Sequence, residues 1–158
     1  MKFMAIKNFQ GKRTNQSENK TEPFLVSDYM TKNLITFKES ESIEQVIDLL
    51  IKNKISGGPV VNEKNELVGI ISEGDCLKQI SDSRYHNLPI DKNNTVEKAM
   101  VKKVETIDGN MNIFDAANKF LESKRRRFPI VENGKLVGQI SQKDVLKAAV
   151  RLKGNTWK

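Results

Sequence analysis

The chain has 158 residues, 37% of them hydrophobic, with 27 basic and 20 acidic side chains and a net charge of +7. That length fits one domain or two small lobes sharing a core. One cysteine (Cys76) and one histidine (His86) exclude a disulfide framework, a Cys-rich zinc site and a His-cluster metal centre, and they leave no basis for a His-centred triad. No apolar run approaches the roughly 18 residues a membrane span requires. The best, Val46 to Ile51, is broken by Asp48. The N-terminus carries no apolar secretory core, so the chain reads as soluble and cytoplasmic.

Residues 1–23 are polar and aperiodic and read as a flexible basic arm. Leu34–Phe37 is expected as a short strand. A helix follows, with Ile43, Val46, Ile47, Leu50 and Ile51 on one face and Ser42 and Gln45 placed to cap it. Pro59 opens the strand Val60-Val61, Asn62–Asn65 turns the chain, and Leu67–Ile71 returns it into a closing helix that contains Cys76. Ser81–Asn94 is a polar connector holding His86. The same order then recurs: strand Val104–Ile107, a helix on Ile113, Ala116, Ala117, Phe120 and Leu121, strand Ile130-Val131, and return strand Leu136–Ile140. Between the last two, Asn133-Gly134 is a two-residue hairpin turn whose residues both tolerate positive φ. A last helix carries Val145, Leu146, Ala149 and Leu152, with Gly154 placed to end it.

The recurrence holds register. A shift of 70 sets Val26 on Val96, Met30 on Met100, Thr36 on Thr106, Ile43 on Ile113 and Pro59 on Pro129. One residue is lost in the second turn, and a shift of 69 sets Leu67-Val68-Gly69 on Leu136-Val137-Gly138, Ile71-Ser72 on Ile140-Ser141 and Asp75 on Asp144. Internal repetition is the strongest feature of the sequence. Neither β-α-β-β-α unit has enough apolar area to stand comfortably alone, so the two are expected to pack together.

The segments Gly69-Ile70-Ile71-Ser72-Glu73-Gly74-Asp75 and Gly138-Gln139-Ile140-Ser141-Gln142-Lys143-Asp144 carry the chemistry. The glycines let a ligand or a neighbouring strand approach the backbone. The serines sit where a strand becomes a helix, whose N-terminus suits a phosphate. Each aspartate offers two acceptor oxygens to the vicinal hydroxyls of a ribose. The same Ser-x-x-Asp spacing is a helix capping box, a reading that needs no ligand; the two agree if the cap positions the carboxylate. Ahead of the shared proline the copies differ: Ser56-Gly57-Gly58-Pro59 against Arg126-Arg127-Phe128-Pro129. Guanidinium groups pair with phosphate, whereas the glycines offer room, so two unequal sites are expected, the more phosphate-competent one around the second repeat. A helix end favoured by cations explains the arginines equally well.

Taken together, the motifs resemble the cystathionine-β-synthase (CBS) domain, and two in tandem resemble a Bateman module. The likeness spans nearly everything outside the arm. It implies an α+β fold of two tandem motifs packed with pseudo-two-fold symmetry, with bounds at 24–80 and 95–153, a connector at 81–94 and a tail at 154–158. It implies adenosine nucleotides (AMP, ADP or ATP) as regulatory ligands in clefts between the motifs, no required cofactor or catalytic group, and a homodimer that signals to an unnamed protein partner. The residues it singles out are Ser72, Asp75, Ser141, Asp144, Gly69, Gly138, Arg126, Arg127, Pro59, Pro129 and, as base contacts or plain core, Thr36 and Thr106. Two departures stand out: Gln139 at a usually apolar position and Glu73 close to a phosphate site. The competing readings are an empty dimerisation module and a polyanion binder led by the basic arm.

Overall fold

A computed structural model describes residues 24–85 and 94–156. The basic arm, His86 and the rest of the connector through Asn93 lie outside the described residues. The first repeat contains α1 (Val26–Tyr29), α2 (Ile43–Asn53), β1 (Gly57–Val61), β2 (Leu67–Ser72) and α3 (Glu73–Tyr85). The second contains α4 (Val96–Ala99), α5 (Ile113–Ser123), β3 (Arg127–Glu132), β4 (Lys135–Ser141) and α6 (Gln142–Thr156).

Helix α2 forms where the apolar period begins. Ser42 Oγ accepts from the Gln45 N–H at 3.1 Å, and the Ser42 N–H donates to Gln45 Oε1 at 2.9 Å, which closes the expected capping box. Helix α5 is capped by Asn112 Oδ1, which accepts from the Phe114 N–H at 2.7 Å. Both helices stop on a lysine in the left-handed region, Lys54 at φ 54° and Lys124 at φ 56°.

Each sheet is a two-stranded antiparallel hairpin, β1–β2 and β3–β4. The second turns through Asn133 (φ 51°) and Gly134 (φ 79°), the positive pair that the dipeptide predicts. The strands expected at Leu34–Phe37 and Val104–Ile107 shrink to single parallel bridges, Phe37 to Val60 and Ile107 to Ile130. Only these residues of the two segments are buried; in the first segment Leu34 and Ile35 line an opening between the repeats.

The entry segments are exchanged. Val26 and Ser27 donate to the carbonyls of Met111 and Gly109, whereas Val96 and Glu97 donate to those of Glu41 and Glu39. Val26 thus completes the second core, with Ile113, Phe120, Phe128, Ile130 and Ile140. Val96 and Met100 complete the first, with Phe37, Ile43, Val46, Val60 and Ile71. Each core therefore takes part of its lining from the entry segment of the other repeat. The exchange also accounts for two expected site residues. A Cβ on Gly138 would lie 2.6 Å from Met30 Sδ, and one on Gly69 would lie 2.6 Å from Met100 Sδ. These glycines admit the exchanged methionines, not a ligand.

Cross-repeat bonds repeat in pairs. The Thr31 and Gln139 backbones exchange hydrogen bonds at 2.8 and 3.0 Å, and so do Ile70 and Val101 at 2.9 Å each. At the turns, Asn65 Nδ2 donates to the Leu136 carbonyl at 3.0 Å. Among the described residues no helix is long and apolar enough to cross a membrane.

Candidate functional site

Two clefts lie between the repeats. The larger, about 940 Å³, takes one wall from Leu34, Ile35, Leu50 and Ile55, a rim from Ser56-Gly57-Gly58-Pro59, and its opposite side from Arg127, Gln139, Ser141, Lys143 and Asp144. The smaller, about 400 Å³, lies between Ser72-Glu73-Gly74 and Arg125-Arg126-Arg127. The pairing is crossed: the aspartate of the second repeat faces the glycines of the first, and the helix start of the first repeat faces the arginines of the second.

Asp144 is held by the cap. Its Oδ2 accepts from the Ser141 N–H at 2.9 Å, and its own N–H donates to Ser141 Oγ at 3.2 Å. Among the described residues nothing donates to Oδ1, and the Ser141 hydroxyl proton has no acceptor. The cap thus leaves one carboxylate oxygen and one O–H available to the large cleft. In the first repeat both the Ser72 N–H (2.9 Å) and the Ser72 hydroxyl (3.0 Å) donate to Asp75 Oδ2. That hydroxyl proton is consumed, and Asp75 lines neither cleft.

The helix starts are less open than the motif suggests. The Glu73 N–H donates to the Ser56 carbonyl at 2.9 Å and the Gln142 N–H to the Arg126 carbonyl at 3.2 Å. With Ser72 and Ser141 N–H also bound, the first donors of both helices are satisfied by protein, so cationic side chains are the better-placed partners for a phosphate. Arg127 is one of them. It is half-buried, donates from Nη1 to the Gly57 carbonyl at 2.8 Å and from Nη2 to Ser56 Oγ, and lines both clefts. It makes no ion pair among the described residues. Burial, and then the neighbouring Arg126, push its pKa down, but a guanidinium stays charged.

The large cleft also holds an orphan. Gln139 Oε1 is buried and has no hydrogen-bond partner. A buried acceptor left unpaired costs about 1–3 kcal/mol, which a donor on a ligand would recover. Cys76 lines the same cleft from α3, and burial, followed by Asp75 and Glu73, raises its pKa and keeps it a thiol.

Of the residues expected from sequence, Asp144, Ser141, Arg127 and Pro59 meet at the large cleft, and Ser72, Arg126 and Arg127 at the small one. Gly69, Gly138, Asp75, Thr36, Thr106 and Pro129 line neither. Thr36 falls outside because the lining stops at Ile35, and none of residues 101–107 lines either cleft. Ile55 joins the large cleft from the segment ahead of Pro59, and Lys143 from inside the second motif; Leu34 also lines it, and no local motif marks that residue. Among the described residues no cluster of three or more His, Cys, Asp or Glu could hold a metal ion.

Comparison with known proteins decides the family. The model of the CBS domain matches residues 26–82 and again 95–151. The chain belongs to the CBS-domain family. It is a tandem pair, a Bateman module. It is 33% identical to the CBS domain-containing protein CBSX1, chloroplastic, of Arabidopsis thaliana, across 89% of this chain and 70% of that one. It is 30% identical to the uncharacterized protein MJ1225 of Methanocaldococcus jannaschii, across 84% of this chain but only 44% of that longer protein. Among solved structures, CBSX2 in complex with AMP superimposes with a TM-score of 0.73 at 32% identity, covering 83% of this chain and 99% of that one. The CBS pair of MJ0100, in complex with 5′-methylthioadenosine and S-adenosyl-L-methionine, gives 0.69 at 27% identity, covering 83% and 100%.

Proposed function

We propose that this CBS pair is a regulatory module that binds an adenosine-type ligand in its large cleft and passes occupancy to a partner through a homodimer. The observation that carries the reading is the capped Asp144, whose spare Oδ1 stands across about 940 Å³ from the apolar pair Ile35 and Ile55. A carboxylate oxygen suits ribose hydroxyls, and apolar side chains suit the faces of a base. Lys143 and Arg127 supply positive charge for a phosphate or for the carboxylate of an amino-acid tail. The AMP, methylthioadenosine and S-adenosylmethionine complexes of similar CBS pairs support the ligand class.

The homodimer reading rests on apolar side chains that the folded chain leaves uncovered. Ile51 (72% exposed) and Leu77 (64%) stand on α2 and α3; Leu121 (81%) and Leu146 (65%) occupy the same places on α5 and α6. Two equivalent faces on a pseudo-symmetric module suit a self-complementary two-fold interface. The mechanism is population shift: the ligand favours one relative placement of the repeats, and the partner reads it.

The test is a titration of the purified protein with AMP, ADP, ATP, S-adenosylmethionine and methylthioadenosine, by calorimetry and thermal shift. At least one ligand is expected to bind and raise the melting temperature, by mass action on the folded state. No binding and no shift with any of the five removes the proposal.

A further inference from the structure

The 70-residue register lets each wall of the large cleft be compared with its counterpart. Ile35 corresponds to Glu105 and Ile55 to Arg125. In the large cleft both isoleucines are lining residues. Across the pseudo-symmetry axis the counterparts are joined to each other: Glu105 Oε2 accepts from Arg125 Nε at 2.9 Å, and Glu105 Oε1 lies 3.3 Å from Lys119 Nζ. Lys119 in turn stands where the first repeat has Leu49. An apolar wall has become a three-membered charged clamp.

The cavities follow that change. The segment Thr31–Ile35 supplies four lining residues to the large cleft, whereas none of residues 101–107 lines the small one, which holds less than half the volume. A base laid against the clamp would desolvate a paired carboxylate and two cations without restoring their hydration. Lys119 and then Arg125 hold the Glu105 carboxyl below its usual range, so the clamp is charged at neutral pH.

We infer that Glu105, gripped by Arg125 and Lys119, is a specificity determinant that closes the second cleft to nucleosides, so that each chain takes one adenosine ligand, in the large cleft. The inference rests on the reading given under Proposed function. No motif carries it; two aligned positions and their ion pairs do.

Calorimetric titration of the full chain with AMP tests it, comparing the natural protein with the double variant Glu105→Ile/Arg125→Ile, which rebuilds the apolar wall. One AMP per chain is expected for the natural protein and two for the variant. One site in both overturns the inference and leaves the proposed function standing. Two sites in the natural protein do the same. Binding by the variant alone keeps the blocking role of Glu105 and overturns the large cleft as the adenosine site. No binding by either overturns both. Should the variant not fold, Asp144→Ala in the natural protein decides: loss of all binding at the natural affinity supports a single site, and binding that keeps the natural affinity at half the original stoichiometry overturns it.

Discussion

The two repeats share a fold and differ where they face the gap between them. Both have the cap, the hairpin with its bulge after the fourth strand residue, the left-handed lysine and the exchanged methionine. Yet the first repeat lends Gly57, Gly58, Ile35 and Ile55 to the large cleft, and the second lends Arg125 to Arg127 to the small one. Even the cores trade volume: Phe37 lies against Gly58 in one copy, while Ile107 and the larger Phe128 serve in the other. Positions that hold the backbone share their chemistry in the two copies, and positions that face the gap differ. Unequal pockets follow from equal scaffolds.

The contrast between the aspartates is the sharpest to break. Asp144→Ala is expected to weaken the adenosine ligand by about 100-fold, the scale of two charge-assisted hydrogen bonds. Asp75→Ala, outside both clefts, is expected to change the dissociation constant less than threefold while costing about 1 kcal/mol of cap stability. Calorimetry and denaturant unfolding of both variants measure the pair; equal losses of affinity would erase the distinction. The next effect is steric. A Cβ on Gly58 would lie 2.9 Å from the Ile35 carbonyl and 3.0 Å from Phe37 Cε2. Gly58→Ala is expected to destabilise by about 1–3 kcal/mol, a lowering of the melting temperature by several degrees. Gly74→Ala, with its nearest neighbour at 3.7 Å, is expected to be neutral or slightly stabilising by comparison. The smallest effect concerns Gln139, whose counterpart in the first repeat is Ile70. Gln139→Leu removes the orphan acceptor. The empty protein is expected to gain stability, while the adenosine ligand loses about tenfold in affinity, one hydrogen bond's worth. A variant that binds as well as the natural protein would show that the amide reads nothing.

Much of this was legible beforehand. The repeat register, both amphipathic helices, the Asn133-Gly134 turn and the Ser-x-x-Asp caps are local patterns, and local patterns survive into the fold. The exchange of α1 and α4 was not legible, because Val26 and Val96 look alike and would satisfy either core. The bent segments around Thr36 and Thr106 look like strands because β-branched residues suit extended backbone; whether a partner strand is present is a tertiary fact. The glycines of the repeated motif permit close approach by a ligand or by another part of the chain alike. Their real neighbours, Met30 and Met100, come from across the molecule and leave no trace in the local pattern. Glu105 and Arg125 are twenty residues apart, and only the comparison between copies gives their pairing meaning.

The exchanged entry segments have a consequence for how such a protein can be cut or recombined. A piece ending near residue 82 keeps its hairpin and both long helices but surrenders Val96 and Met100, and with them the lid over Phe37 and Ile71. A piece beginning near 95 surrenders Val26 in the same way. Each half is born with a hole shaped like a fragment of its twin, so the natural unit of inheritance for this fold is the pair.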